Sequence, residues 1–171
     1  QVNVKAGMTF SRALRSFMRA DPDVILVGEL RDGETASIGI QAALTGHFVL
    51  ATVHANSAAG VPTRLIDMGV EPFLVASSVR GVISQRLVRK LCHRCYIPFE
   101  VSQHIKDSFP WQGEPPSTLY KANIEGCAHC HRTGYSGRTS IAEVLVVDDE
   151  ISHLITSSAT ANEIESLAVA G

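Results

Sequence analysis

The amino-acid sequence predicts an α/β fold of parallel strands and helices, joined to a small cysteine-rich module and C-terminal helices. Two short apolar runs, at 23–28 and 47–54, are rich in β-branched residues, and a helical pattern lies between them. This strand, helix, strand order predicts a right-handed crossover and two parallel strands in one sheet. All four cysteines lie further along the chain in two close pairs, which indicates the separate module.

The first 90 residues are expected to form the main body. Segment 9–20 predicts an amphipathic helix with Thr9 as its N-cap, and the strand "DVILVG" follows as an apolar run typical of a sheet covered on both faces. Asp32 can cap a helix that ends at Gly46, where a left-handed residue is needed. After the second strand, we predict three further helices, at 57–68, 72–80 and 81–90.

The remaining chain divides into a module at 91–133 and a tail at 134–171. The module contains the turn-rich insert "FPWQGEPPST", which shows neither helical nor strand periodicity. In the tail, "TSIAEVLVV" predicts a strand that returns to the main body. Two helices are expected after it, one capped by Asp148 or Asp149 and one by a capping box of Thr160 and Glu163.

Composition excludes some classes of protein. The chain has 171 residues, of which 45% are hydrophobic and 19% charged, with a formal charge of -2 and no long basic block, so it does not indicate a nucleic-acid or membrane-surface protein. The uncharged stretch 37–55 is long enough to suggest a membrane helix, but Gly46 and His47 interrupt it and favour helix, turn and strand. The first ten residues contain no signal-peptide core, and we expect them to lie inside a longer chain.

The cysteines are arranged as two knuckles. Cys92 and Cys95 are separated by two residues, as are Cys127 and Cys130, and a 31-residue gap lies between the pairs. Two such knuckles can supply the four thiolates of a closed tetrahedral site, so a structural Zn²⁺ is favoured. Two disulfides, a redox pair and an iron–sulfur cluster are the alternatives.

Neighbouring residues bear on the metal hypothesis. Four thiolates around a divalent cation leave net negative charge, which nearby basic residues can offset. These are Arg89, Lys90, Arg94 and Arg132. Three histidines, His93, His129 and His131, could replace a cysteine as a ligand, although surface positions are more typical.

A second candidate site lies where the two predicted strands end. Ligands of parallel α/β sheets bind beyond the carboxyl ends of the strands. Glu29 follows the first strand and His54 follows the second, so a carboxylate and an imidazole can face one crevice. An ordinary solvated rim of Glu29 with Arg31, and a helix cap at His54, explain the same residues equally well.

Three stretches carry a family resemblance. They are "RADPDVILVGELRDGETASIGIQAALTGHFVLATVHANSA", "RLIDMGVEPFLVASSVRGVISQRLVRKLCHRC" and "GCAHCHRTGYSGRTSIAEVL". Together they closely resemble the motor ATPases of secretion and pilus assembly, above all the E-protein ATPases of type II secretion. The resemblance covers nearly the whole chain and implies the C-terminal half of a RecA-like P-loop ATPase core with an inserted four-cysteine zinc module.

The resemblance also implies roles for the strand-end residues. "DVILVGE" is similar to the family's Walker B strand, with Gly28 in the place of the usual Mg²⁺-associated Asp, and "GHFVLATVHANS" is similar to its histidine box. It therefore implies that Glu29 polarises the attacking water, that His54 lies near the γ-phosphate, and that Gly28 and Arg31 lie on the nucleotide and Mg²⁺ side. Arginines at subunit boundaries could also sense phosphate charge; the candidates are Arg12, Arg15, Arg31, Arg64 and Arg86.

One expected motif is absent from the sequence. No G-x-x-x-x-G-K-[ST] loop occurs, and none of the four lysines follows a glycine, so the phosphate-binding loop is expected upstream in a longer protein together with the family's Asp box. The chain is accordingly expected to be a fragment of the motor domain and to be inactive alone. The sequence upstream of residue 1 in the parent protein would test this expectation.

The parent protein is implied by the same resemblance. It would be a homohexameric ATPase in the bacterial cytoplasm, peripheral at the inner membrane, where a membrane platform and cytoplasmic adaptor proteins couple ATP hydrolysis to pseudopilus assembly and protein export. A type IV pilus extension ATPase is the alternative. A third hypothesis, from another class, is that the isolated chain is a non-enzymatic, zinc-dependent interaction module.

Overall fold

The computed structural model describes residues 8–109, 111 and 113–170. These residues form two compact units. One comprises the described residues up to Ser84 together with those from Ala142 onward, and the other comprises Gln85–Ile141. The predicted division into domains at 90 and 133 stays a prediction.

The first unit contains most of the helices. Its elements, in chain order, are α1 (Phe10–Phe17), a 3₁₀ turn (Met18–Ala20), β1 (Val24–Val27), α2 (Gly33–Leu44), β2 (Phe48–Ala51), α3 (Gly60–Asp67), α4 (Pro72–Ser78), and, after the second unit, α6 (Asp149–Thr156) and α7 (Ala161–Ala170). Two long strands, β3 (Gly81–Leu91) and β6 (Tyr135–Val146), pair with each other, and the chain passes from one unit to the other within each of them.

The second unit holds shorter elements. They are β4 (Ile97–Glu100), α5 (Gln103–Ser108), β5 (Thr118–Lys121) and a 3₁₀ turn at Ala128–Cys130. β4 and β5 pair in antiparallel fashion. The described residues of the insert "FPWQGEPPST" that precede Thr118 lie between α5 and β5, outside both elements, in agreement with its lack of helical or strand periodicity.

The strands β1 and β2 are parallel, as the strand, helix, strand order predicted. Val24 lies opposite Phe48, and Val27 lies opposite Ala51. One face of β1 is buried by Ile25 and Val27, which pack with Leu14 of α1 and with α2. Among the described residues, the other face of the β1–β2 pair is exposed. The expectation of a sheet covered on both faces is therefore wrong here. The exposed side chains are Val24, Leu26, Phe48 and Leu50.

The larger core of the first unit lies among α3, α4, α6 and α7. Val75, Ile155 and Ile164 are almost fully buried there. The end of β6 contributes Leu145 to the same core. The segment that precedes α3 contributes Ala58 and Ala59. This core therefore brings the segment after β2 close to the last strand of the chain.

Local capping follows the predictions closely. The Asp32 carboxylate accepts a hydrogen bond from the Thr35 N–H at 2.8 Å, and Asp148, rather than Asp149, caps α6. Thr160 and Glu163 form the reciprocal capping box, and hydrogen bonds from the Thr160 backbone N–H and hydroxyl lower the pKa of Glu163. Caps are predictable because donor and acceptor lie three residues apart.

The predicted helix at 81–90 is wrong, since these residues form β3. The apolar residues Val82, Ile83, Leu87 and Val88 fit a helical face as well as a strand. Pairing with β6, about 50 residues later in the chain, supplies the backbone hydrogen bonds and decides the conformation. The return strand is also longer than predicted, because it begins at Tyr135 rather than Thr139.

None of the helices in the described part of the chain combines the length and the apolar character that crossing a membrane requires. Residues 37–55 divide into α2, a turn and β2, as predicted. Gly46 has a φ of +102°, which explains why glycine follows this helix.

Candidate functional site

The first candidate site lies at the carboxyl edge of the β1–β2 pair. Glu29 follows β1 and His54 follows β2. Because the strands are parallel neighbours, both segments leave the sheet at the same edge. The structure brings the two side chains into contact, with His54 Nε2 2.8 Å from Glu29 Oε1.

Arg31 occupies the other oxygen of the same carboxylate. Its Nε donates to Glu29 Oε2 at 2.6 Å, and its Nη2 lies 2.6 Å from the same oxygen. The side chain of Glu29 is only 21% exposed, whereas those of Arg31 and His54 are 78% and 91% exposed. An ion pair with a partner as exposed as Arg31 contributes at most about 1 kcal/mol, so Arg31 can leave the carboxylate at small cost.

Two hydrogen bonds hold the backbone beneath this trio. The Leu30 N–H donates to the Thr52 carbonyl at 2.8 Å, and the Thr52 hydroxyl donates to the Gly28 carbonyl at 2.6 Å. These bonds tie the Glu29 segment to the His54 segment just beyond the sheet. Thr52 was not among the predicted residues; its signal in the sequence is a hydroxyl directly after the apolar strand β2.

Gly28 faces open space in the described structure. A Cβ built on Gly28 would meet no described atom within 4 Å, so packing alone does not require glycine there. Chemically, the edge offers a partly sheltered carboxylate that can accept a proton from water, with an imidazole and a guanidinium beside it. Such groups suit a reaction that depends on orienting water and balancing phosphate charge.

The second candidate site is the cysteine cluster of the second unit. All four sulfurs lie within 4.8 Å of one another, and all four cysteines are free thiols. Three of the distances, Cys92 to Cys127, Cys95 to Cys130 and Cys127 to Cys130, are 3.8 Å. Four sulfurs placed tetrahedrally at about 2.3 Å from Zn²⁺ are about 3.8 Å apart, whereas disulfide sulfurs are separated by about 2.05 Å. The donor set therefore fits a metal and does not fit paired disulfides.

Backbone N–H groups point at one of these sulfurs. The N–H groups of Cys127 and Gly134 lie 3.2 and 3.3 Å from Cys130 Sγ. They lower the pKa of Cys130 to about 6, mainly through the Cys127 N–H, although burial opposes the shift. Burial and the neighbouring thiols instead raise the pKa of Cys95 to about 12. Four thiolates this close repel one another, and a divalent cation would offset their charge.

Gly134 completes the cage through its backbone. Its carbonyl accepts a hydrogen bond from the Cys92 N–H at 3.0 Å, while its own N–H faces Cys130. Its φ is +73°, and a Cβ there would lie 2.4 Å from the Asn123 carbonyl oxygen. Gly134 therefore joins the two knuckles, and no side chain fits at this position. Sequence reasoning missed it, although a glycine four residues after the last cysteine was a visible signal.

The residues around the cage take varied positions. Rings of His93 and His129 meet edge to face at 4.9 Å, and neither these nor His131 belongs to the group of ligand atoms that the described residues bring together. Arg89 stacks on the Tyr135 ring at 3.7 Å. The histidines are thus not ligands in this arrangement.

The α/β architecture is consistent with the fold of solved α/β ATPases. A crystal structure of the pilus retraction motor PilT with bound ADP is similar, with a TM-score of 0.60 and 27% identity over 93% of this chain and 34% of that chain. The ATPase DotB of Legionella pneumophila shares the fold, with a TM-score of 0.57 and 24% identity over 92% of this chain and 32% of that chain.

The chain belongs to the family described as Type II/IV secretion system protein, which matches residues 1–170. It is 52% identical to the type II secretion system ATPase E of Vibrio cholerae, over 93% of this chain and 31% of that protein. It is 50% identical to the type IV pilus assembly ATPase PilB of Thermus thermophilus, over 98% of this chain and 19% of that protein. The chain thus spans a third or less of the length of these two relatives, and the family resemblance found in the sequence is confirmed.

Proposed function

We propose that this chain is the C-terminal half of a RecA-like P-loop ATPase core, with an inserted zinc module, in a motor of type II secretion. The observation that carries the proposal is the 2.8 Å contact between Glu29 and His54 at the carboxyl edge of two parallel strands. Family membership and relatives named as secretion ATPases support the same activity.

In this proposal Glu29 orients the attacking water. Its carboxylate is the sheltered member of the trio, and release of either oxygen provides an acceptor for a water proton. His54 and Arg31, both exposed, are then free to meet the phosphate charge, while the open space at Gly28 lets a hydrated metal approach. Mg²⁺, when bound with ATP, would neutralise charge on the phosphates.

The rest of the motor is proposed to lie in the parent protein. The G-x-x-x-x-G-K-[ST] sequence of a phosphate-binding loop is absent from these 171 residues. The type II secretion system ATPase E of Vibrio cholerae is about three times longer than the region that this chain matches. We propose that the parent supplies this loop and the Asp box, forms a hexamer in the cytoplasm, and acts on an inner-membrane platform through adaptor proteins.

Type IV pilus assembly is the second candidate function. The 50% identity to a pilus assembly ATPase over 98% of this chain supports this function almost as strongly as the 52% identity to a type II secretion ATPase supports the first candidate. Both candidates share one chemistry, so the site residues have the same roles in each.

We further propose that Cys92, Cys95, Cys127 and Cys130 hold one structural Zn²⁺. Their sulfur spacing matches a tetrahedral site, and four thiolates leave no open position for catalysis. The metal would supply folding energy to the second unit, because a set of thiolates this close is stable only around a cation.

Substitution of Glu29 in the parent protein tests the catalytic proposal. Glu29→Gln should retain ATP binding and slow hydrolysis by about 10²-fold or more, because the amide cannot accept the water proton. Steady-state turnover and nucleotide affinity are the measurements. Glu165→Gln is a control, since Glu165 is an exposed glutamate of α7 in the same unit. Unchanged turnover in Glu29→Gln would remove Glu29 from the reaction.

A further inference from the structure

We propose that Glu143, a residue of β6, is a positioning residue that sets the place of the segment carrying His54. The inference rests on the proposed ATPase function and extends it to a residue distant in sequence. Its carboxylate Oε2 accepts a hydrogen bond from the Ala58 N–H at 2.8 Å, and the two residues are 85 positions apart. Ala58 is only 4% exposed, so its N–H has little access to water as an alternative acceptor.

The strand directs Glu143 toward this contact. Residues two apart in a strand point to the same face, and Leu145 follows Glu143 at that spacing within β6, with Val147 directly after the end of the strand. Both are buried in the core that also contains Ala58 and Ala59. Glu143 lies at the surface end of this row, where its carboxylate reaches the backbone just before α3.

Glu143 supplies a negative charge that the first turn of α3 does not contain. The N-cap of α3, Ala59, has no side chain that can accept a hydrogen bond, and the first turn of the helix contains no acidic residue. Ser57 Oγ accepts from the Gly60 N–H at 3.2 Å, and Glu143 supplies the nearby negative charge from another element. A carboxylate near a helix N-terminus is favourable because the helix dipole is positive there.

The consequence for the site comes from where the two anchors lie. Upstream of His54, the Thr52 hydroxyl holds the chain to Gly28, next to Glu29. Downstream of it, Glu143 holds the chain at Ala58. His54 is exposed and lies between these anchors, so loss of the downstream one removes one of the contacts that hold its segment. The distance from His54 to Glu29 should then vary.

Three variants separate positioning from a merely structural role. Glu143→Ala removes the acceptor, Glu143→Gln keeps an amide oxygen that can still accept the Ala58 N–H, and Glu165→Ala removes an exposed glutamate of α7 as a control. In the 171-residue chain, Glu143→Ala should accelerate hydrogen exchange of the Ala58 amide by at least about tenfold, because a charge-assisted hydrogen bond is lost. The ring resonances of His54 should also shift, and Glu143→Gln should restore both signals to near those of the unsubstituted chain.

The kinetic arm uses the parent protein. Glu143→Ala should lower kcat for ATP hydrolysis by at least about tenfold and change KM little, because displacement of a catalytic group affects the transition state most. Glu143→Gln should recover most of the rate, and Glu165→Ala should not change it. Wild-type kcat in a Glu143→Ala protein whose Ala58 amide exchanges faster would overturn the inference, as would an unmoved His54 resonance.

Two outcomes distinguish this inference from the proposed function. A parent that does not hydrolyse ATP would refute the proposed function, whereas the Ala58 exchange and the His54 resonance would still test the positioning contact. If Glu143→Ala does not fold, Glu143→Asp keeps the charge and shortens the reach by one methylene. Glu143→Asp is expected to shift the His54 ring resonances in the same way as Glu143→Ala. Unshifted His54 resonances in Glu143→Asp would also contradict the inference.

Discussion

A substitution at Gly134 tests the proposed zinc cage most directly. Gly134→Ala adds a Cβ at a φ of +73°, 2.4 Å from the Asn123 carbonyl oxygen and 3.2 Å from the Ala122 Cβ. The backbone of Gly134 cannot move away freely, because its N–H faces Cys130 Sγ and its carbonyl accepts from Cys92. Relief of the overlap must therefore disturb one of the two knuckles.

The magnitude has two parts. A left-handed conformation costs a non-glycine residue about 1–2 kcal/mol. The overlap adds about 1–3 kcal/mol, as an extra methyl group does in a tightly packed interior. Because the knuckles are formed around the metal, the overlap should weaken zinc binding by about 5- to 150-fold.

Gly137→Ala provides a matched control for this measurement. Gly137 has a similar φ of +78°, but a Cβ there would meet nothing within 4 Å among the described residues. The difference between the two variants therefore isolates the overlap from the conformational cost. Zinc affinity can be measured by competition with a chromophoric chelator, with thermal unfolding followed in parallel. Equal zinc affinities of the Gly134→Ala and Gly137→Ala chains would refute the reasoning.

Two further predictions follow from the proposed site and metal. The 171-residue chain alone should show no metal-dependent ATP hydrolysis, since its sequence contains no phosphate-binding loop; turnover by the purified chain, checked by phosphate release, would contradict this. Elemental analysis should find one Zn per chain and none after Cys92→Ser, because the remaining three thiolates no longer close the cage. A folded chain that is free of metal and carries paired disulfides would rule out the zinc proposal.

Features that depend on neighbours in sequence were predictable. The caps at Asp32, Asp148 and Thr160 each join groups three residues apart, so their residue types were sufficient. The parallel pairing of β1 and β2 followed from the order of elements, since the handedness of the crossover allows little choice. The two knuckles were visible for the same reason, because two-residue spacing brings both sulfurs toward one point.

Features that depend on distant partners were not predictable in the same way. Residues 81–90 carry a pattern compatible with a helix, and only pairing with β6 makes them a strand. Glu143 is one of several carboxylates in the tail, and nothing near it in sequence indicates a contact with Ala58. The overlap at Gly134 likewise depends on Asn123, which lies before the second knuckle.

The sequence by itself determined the kinds of group at each site: a carboxylate and an imidazole after two strands, and four thiols in two pairs. Tertiary structure alone decided their distances, which are 2.8 Å between Glu29 and His54 and 3.8 Å between sulfurs of opposite knuckles. The physical reason is that residue type sets the available chemistry locally, whereas separation in space is set by packing and pairing between segments far apart in the chain.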